Sequence, residues 1–258
     1  MTVPFYKYQG TGNDFIMIDN RQSVFYKNNA KLVSTLCDRR FGIGADGLIL
    51  LENDALSHFK MVYFNADGNE GSMCGNGGRC TVAFAKYLDI IADTATFTAV
   101  DGIHEATIDH DRVSLQMQEV SEIRVKPDCL FLDTGSPHHV QLVKGLADFE
   151  VFAEGRKLRY GLYGKSGSNI NFVEQLDDTT FAVRTYERGV ENETLSCGTG
   201  VTAVALAMHK TGKTKVNVVT VKTQGGDLMV EFEQNGGTYR NIHLIGPAKQ
   251  VFKGEVTC

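Results

Sequence analysis

The chain has 258 residues and 28.4 kDa, 42 % of them hydrophobic and 22 % charged. That mix supports a buried core, in one large domain or two modest ones, and excludes wholesale disorder. Twenty-six basic against 31 acidic residues leave a net charge of −5, which offers no footprint for nucleic acid or an anionic membrane. No apolar run approaches the ~20 residues of a spanning helix. The opening MTVPFYKYQGTGNDF shows neither a signal-peptide nor a transit-peptide pattern, so a soluble cytoplasmic protein is expected.

In chain order, short β-branched and aromatic runs bounded by Gly, Asn, Asp or Pro predict strands at 15–18, 48–51 and 59–64. A helix follows the glycines of MCGNGGRC, where Cys80, Ala83, Phe84, Tyr87 and Leu88 are spaced as one apolar face. Strands resume at 96–100, 112–117, 129–132, 139–143, 170–173 and 180–186. After SCGTG, the run VTAVALAM at 201–208 has a threonine as its one polar member, which predicts a helix buried on nearly all sides. Strands at 216–221, 228–232 and 242–245 complete a β-rich chain with few helices.

The two helix starts resemble each other. MCGNGGRCTVAFA at 73–85 aligns without gaps on SCGTGVTAVALAM at 196–208, an offset of 123 residues (197 − 74). The economical reading is an α/β (α+β) fold of two pseudo-symmetric halves, each a β-rich sheet or barrel wrapped around a central helix. The halves are expected at 1–120, carrying Cys74, and 121–248, carrying Cys197, with a C-terminal strand over 249–258 as a candidate to complete the first. Chance similarity of glycine-rich turns is the bland alternative.

Six cysteines, at 37, 74, 80, 129, 197 and 258, form no CxxC pair, which argues against a structural zinc site. A reducing cytosol argues against a disulfide framework. Cys37, Cys129 and Cys258 have no partner logic, and Cys80 belongs to the apolar face of the first helix. The acidic residues are scattered and suggest no metal site. Cys74 and Cys197 are different: each precedes the first turn of a predicted helix, where unpaired N–H groups and the positive dipole end favour a thiolate. The same N–H groups can cradle a carboxylate, and the following glycines allow its close approach. Two such thiols, brought to opposite faces of one carbon, are what stereoinversion requires: one removes the α-proton and the other returns a proton. Two buried cysteines at glycine-rich caps are the structural alternative.

The blocks YQGTGNDF, FGIGADG, FNADGNEGSMCGNGGRC, GSPH, NINFVE and RTYERGVENETLSCGTG occur in this order. Along essentially the whole chain they resemble the diaminopimelate epimerase family. The resemblance implies an active site in a cleft between two halves, with Cys74 and Cys197 as the proton-transfer pair. It implies interconversion of LL-2,6-diaminopimelate and the meso form, with no pyridoxal phosphate or other cofactor and no metal, in a homodimer. It further implies that Asn13, Asn65 and Asn169 hold the substrate and that Arg188 pairs with its distal carboxylate, for which the guanidinium fork is well shaped. Glu187 then meets the α-ammonium and steers protonation of a cysteine, and His138 lies near the thiols. Gly75 with Asn76, and Gly198 with Thr199, supply backbone for the α-carboxylate.

Two departures fall on the substrate side. Gly47 stands where many relatives have Gln, so an amide contact is missing, and Ser136 stands where Asn is common and reaches less far. Gly42, Gly44 and Gly47 satisfy G-x-G-x-x-G, but polar CDRR precedes them and strand-like LILLE follows, the wrong context for a dinucleotide site. Asn192-Glu193-Thr194 is a formal glycosylation sequon, read as a polar loop. The rivals are a related racemase for another amino acid, which would leave Arg188 without a second carboxylate, and a redox protein in which Cys74 and Cys197 oxidise reversibly.

Overall fold

The computed structural model describes residues 2–257, which divide into one unit over 2–115 with 246–257 and a second over Gln116–Ile245. Met1 and Cys258, the latter assigned no chemistry above, lie outside the described residues. The first unit runs β1 (Thr2–Gly10), β2 (Asn13–Asp19), α1 (Ala30–Cys37), β3 (Gly47–Glu52), β4 (Phe59–Asn65), α2 (Gly75–Tyr87), β5 (Thr94–Ala99), β6 (Gly102–Asp109) and β7 (Arg112–Gln116). The second begins with β8 (Ile123–Val125), β9 (Leu130–Asp133), β10 (Pro137–Leu142), a 3-10 turn at Leu146–Asp148 and α3 (Val151–Gly161). It continues with β11 (Asn169–Gln175), β12 (Thr180–Glu187), β13 (Asn192–Thr194), α4 (Gly198–Lys210), β14 (Val218–Thr223), β15 (Gly226–Asn235) and β16 (Thr238–Pro247). The last strand, β17 (Lys249–Thr257), pairs antiparallel with β1.

From β17 through β1 to β7, successive pairings are antiparallel, antiparallel, parallel, antiparallel, parallel, antiparallel and antiparallel. From β8 to β16, with β13 set aside, the second unit gives the same series. The repeat is also metrical. α2 and α4 each have 13 residues and begin 123 apart (198 − 75). Thr11-Gly12-Asn13 corresponds to Thr134-Gly135-Ser136 at that offset, and Gly12 and Gly135 share a positive φ, 83° and 98°.

Each unit buries two layers. Ile16, Ile18, Leu48, Leu50, Val62 and Phe64 pack with Val33 and Leu36 of α1. Ile49 and Met61 face α2 instead, where a Cβ on Gly77 would stand 3.0 and 3.1 Å from their tips. A strand buried on both faces loses the hydrophobic alternation, which is why GLILLE reads as one apolar run. In the second unit every residue of α4 from Val201 to Met208 is buried, so the predicted all-round burial of that helix holds. Ile170, Phe172 and Tyr186 pack with Val151 of α3. α3 lies so close that a Cβ on Gly155 would meet Tyr186 Cβ at 2.4 Å.

Several elements differ from the sequence expectation. α1 and α3 were not predicted: α1 is a short helix capped by Asn29, whose side chain accepts the Leu32 N–H. α3 buries Val151, Gly155 and Arg159 and sets Leu158 half-buried against the core, an inner stripe broken up by a glycine and an arginine. Asn192–Thr194 is a strand rather than a polar loop, because it pairs with Thr185–Glu187 of β12. The predicted face of α2 is also incomplete: Tyr87 is 45 % exposed, whereas Arg79 is fully buried.

Candidate active site

The two helix starts build two half-sites, one in each unit. Cys74 is the N-cap of α2, with extended backbone (φ −114°, ψ 116°) and no side-chain capping bond. Its Sγ donates to Asn13 Oδ1 at 3.6 Å, and Asn76 Nδ2 donates to the same oxygen at 3.3 Å. Asn13 in turn donates to Asp46 Oδ2 at 2.6 Å, and Asp46 Oδ1 is paired with Arg39 at 2.7 Å. Arg39 also forks onto Asp14, which Lys7 contacts from the interior at 2.7 Å. Burial raises the Asp14 carboxyl, but hydrogen bonds from Arg39 and Lys7 outweigh it and hold the group at about 2. This charged frame fixes Asn13, and through it the first thiol. Asn65 ends β4, exposed, with its side-chain oxygen beside Gly71.

Cys197 is the N-cap of α4, again extended (φ −123°, ψ 110°) and without a capping side-chain bond, and it is 8 % exposed. Thr199 Oγ1 lies 3.5 Å from its Sγ and 2.9 Å from His138 Nε2. Asn171 settles the polarity of this chain. His139 O can only accept, so the atom that faces it at 2.8 Å is Asn171 Nδ2, which also lies 3.1 Å from His138 Nδ1, and the Asn171 oxygen accepts from Thr185 at 3.0 Å. His138 Nδ1 therefore accepts, and Nε2 carries the proton and donates to Thr199. The Thr199 hydroxyl keeps its own proton for Cys197 when that sulfur is ionised, a bond that favours the thiolate. Burial and the nearby Arg188 charge push His138 down to about 3, against the Asn171 bond, so its ring is neutral at physiological pH.

The remaining second-unit residues form a polar cluster beside this chain. Asn169 Nδ2 donates to Ser136 Oγ at 3.1 Å, and Asn169 Oδ1 accepts the Arg188 N–H at 2.8 Å. The Arg188 guanidinium, exposed at the surface, reaches Ser136 Oγ at 3.3 Å and Ser166 O at 3.0 Å. Glu187 accepts from Thr194 Oγ1 at 2.9 Å, a bond made possible by β13. At the 123-residue offset Asn13 answers to Ser136, Asp46 to Asn169 and Asn65 to Arg188, so the candidate residues occupy corresponding places.

Sequence reasoning missed Asp46, Arg39, Arg79, Asn171 and Tyr63. Asn171 had a signal: with Asn169 it puts two amides on one face of the otherwise apolar NINFV. Gly47 is more than a lost amide. A Cβ there would lie 2.5 Å from both Phe64 O and Tyr63 Cε2, so the Tyr63 ring fills that side of the strand. The Gly42–Gly44 turn offers no phosphate cradle, because the N–H groups of residues 42 to 45 bond the C-terminal carbonyls of α1 and Asp38. None of the cysteines at 37, 74, 80, 129 and 197 is in a disulfide. Burial pushes Cys37 and Cys80 up to about 12, which removes both from chemistry. No helix among the described residues is long and apolar enough to cross a membrane.

A sequence model of the family described as diaminopimelate epimerase matches residues 5–123 and 130–251. The chain is 61 % identical over 250 residues to the diaminopimelate epimerase of Flavobacterium psychrophilum, covering 96 % of this chain and 98 % of that one. It is 43 % identical to that of Chlorobaculum tepidum, covering 96 % and 99 %. Among solved structures, a phenazine biosynthesis protein of the PhzF family from Bacillus anthracis superposes with a TM-score of 0.80 at 14 % identity over the whole of both chains. A hydroxyproline epimerase from Agrobacterium vitis superposes with a TM-score of 0.72 at 13 % identity, covering 99 % of this chain and 92 % of that one. At such identities these two speak for the fold alone.

Proposed function

Since the chain belongs to the diaminopimelate epimerase family, we propose that Cys74 and Cys197 are the acid–base pair with which it interconverts LL- and meso-diaminopimelate in lysine biosynthesis. The observation that carries this reading is the matched position of the two thiols. Each is the N-cap of a corresponding helix, and neither sulfur is used to cap its own helix. A thiol at a dipole's positive end is drawn towards ionisation and can serve as an acid or base.

In the reaction, one thiolate takes the α-proton and becomes a thiol, leaving a planar carbanion. The opposing thiol gives its proton to the other face and becomes a thiolate, so each turnover exchanges the roles of the two sulfurs. N–H groups of the first turns, at Gly75 and Asn76 and at Gly198 and Thr199, bind the α-carboxylate and stabilise the developing charge. Asn13, Asn65 and Asn169 orient the substrate, Glu187 receives the α-ammonium, and Arg188 meets the distal carboxylate with Ser136 beside it. His138, neutral and locked by Asn171, sets the Thr199 hydroxyl on Cys197 rather than transferring a proton itself. The mechanism needs no cofactor, because the protein's own dipoles hold the carbanion. Family membership also supports a homodimer in the cytoplasm.

Cys74→Ser and Cys197→Ser test the assignment. Each is expected to abolish epimerisation of LL-diaminopimelate while leaving the thermal transition in place. Normal turnover by either variant removes the two-thiol mechanism, and faster turnover of a monocarboxylic amino acid than of LL-diaminopimelate overturns the substrate.

A further inference from the structure

Arg79 is a buried cation without an acid. It is 0 % exposed, and among the described residues it makes no ion pair. Its guanidinium lies against the first turn of α2 and the β1–β2 turn, donating to Asn76 Oδ1 at 3.0 Å and, at 3.4 Å, to Gly75 O and Thr11 Oγ1. Its Nε is a buried donor with no partner. Burying a charge on neutral acceptors alone is costly, so a compensating negative charge nearby is expected at some stage of the working cycle.

The surrounding groups leave few candidates for that charge. Lys7 and Arg39 are balanced by Asp14 and Asp46 in the adjoining frame. Cys80 and Tyr8, both held up by burial, stay protonated. What remains is Cys74, the N-cap of the turn whose Asn76 the guanidinium holds. The second unit lacks this device: at the 123-residue offset the position is Thr202, buried, with its hydroxyl spent on Gly198 O at 3.1 Å.

We propose that Arg79 is a positioning residue for the first half-site, supplying a fixed positive charge that keeps Cys74 ionisable and orienting Asn76 beside it. At the place matching Arg79 the second half-site has Thr202 rather than a cation, and Cys197 meets the Thr199 hydroxyl, so the two thiols are chemically unequal despite their matched places. This rests on reading Cys74 as a proton-transfer group, but it concerns that thiol's ionisation and can be tested without substrate.

The experiment measures alkylation of Cys74 and Cys197 by iodoacetamide as a function of pH, by peptide mass spectrometry, on the intact protein without substrate. In the unaltered protein the Cys74 midpoint is expected at least about one unit below the free-cysteine value of ~8.5. Arg79→Gln should raise it by about one unit, roughly tenfold slower alkylation at a fixed pH below the midpoint, with the Cys197 profile unmoved. Arg79→Lys, which keeps the charge and loses the fork, should restore the low midpoint. An unshifted midpoint in a folded glutamine variant overturns the proposal, as does an equal shift at Cys197 or a lysine variant that behaves like glutamine. If the glutamine variant does not fold, a midpoint at or above ~8.5 in the unaltered protein still overturns it. An unshifted midpoint with a raised KM would instead assign the cation to the substrate carboxylate. Loss of activity in Cys74→Ser bears on the proposed function and leaves this result independent.

Discussion

Gly77 and Gly200 occupy the same position of corresponding helices, yet alanine at the two should behave differently. At Gly200 the new Cβ would stand 2.5 Å from Asn171 Oδ1 and 3.4 Å from Cys197 Sγ. Asn171 cannot retreat cheaply, because it is fully buried and bonded to Thr185, His138 and His139 O. Overpacking of this kind costs about 1–3 kcal/mol, and weakening buried hydrogen bonds adds about 1–3 kcal/mol. Alanine's better helix propensity returns at most about 1 kcal/mol. The net loss is about 3 kcal/mol, or roughly 6–12 °C in Tm for a chain of this size. At Gly77 the neighbours are the methyl tips of Ile49 and Met61 at 3.0 and 3.1 Å, which can swing aside, so the propensity gain and the strain nearly cancel. Thermal unfolding of Gly200→Ala and Gly77→Ala, followed by alkylation of Cys197, reads the contrast. A Gly200→Ala protein as stable as the parent with an unchanged Cys197 profile would refute the account of Asn171 as a rigid brace.

Two further outcomes follow from the same geometry. Burial holds His138 at about 3 in the folded chain against the ordinary imidazole value of 6.5, so the unfolded chain binds the extra proton first. Its contribution to stability is complete above about 6.5 and is lost as pH falls towards 3. Unfolding midpoints of His138→Gln should therefore be lower than the parent's at pH 7 and fall less steeply between pH 6.5 and 4; parallel slopes would contradict this. Gly47→Gln, which restores the side chain common in relatives, should destabilise the protein by about 1–3 kcal/mol through collision with Tyr63 and Phe64 O. Tyr63→Ala in that background should recover part of the loss, and chemical denaturation of the single and double variants measures both.

Much of this was legible in the sequence because it is local. VTAVALAM, apolar except for Thr202, could only be a buried helix, and the cysteine–glycine starts fixed both N-caps. The repeat was visible at those starts, and the correspondence of Thr11 with Thr134 at the same offset stood out only beside the matching strand pairings. α3 was hidden because Gly155 and Arg159 break up its inner stripe. The Asn192–Thr194 strand was hidden because its residues are polar and its partner, β12, supplies the pairing. Arg79 and Asp46 escaped for another reason. Their roles come from contacts across several elements, such as Arg79 with Thr11 at 3.4 Å and Asp46 with Asn13 at 2.6 Å, which no spacing rule encodes.

The most direct test of paired thiols acting on one α-carbon is a single-turnover reaction of LL-diaminopimelate in heavy water, with product and residual substrate separated and their isotope content measured. Two opposed acid–base groups predict deuterium at the inverted α-carbon of the first meso product, while unreacted LL substrate keeps its protium. Meso product without solvent deuterium, or equal deuterium in product and recovered substrate, would contradict the two-thiol account.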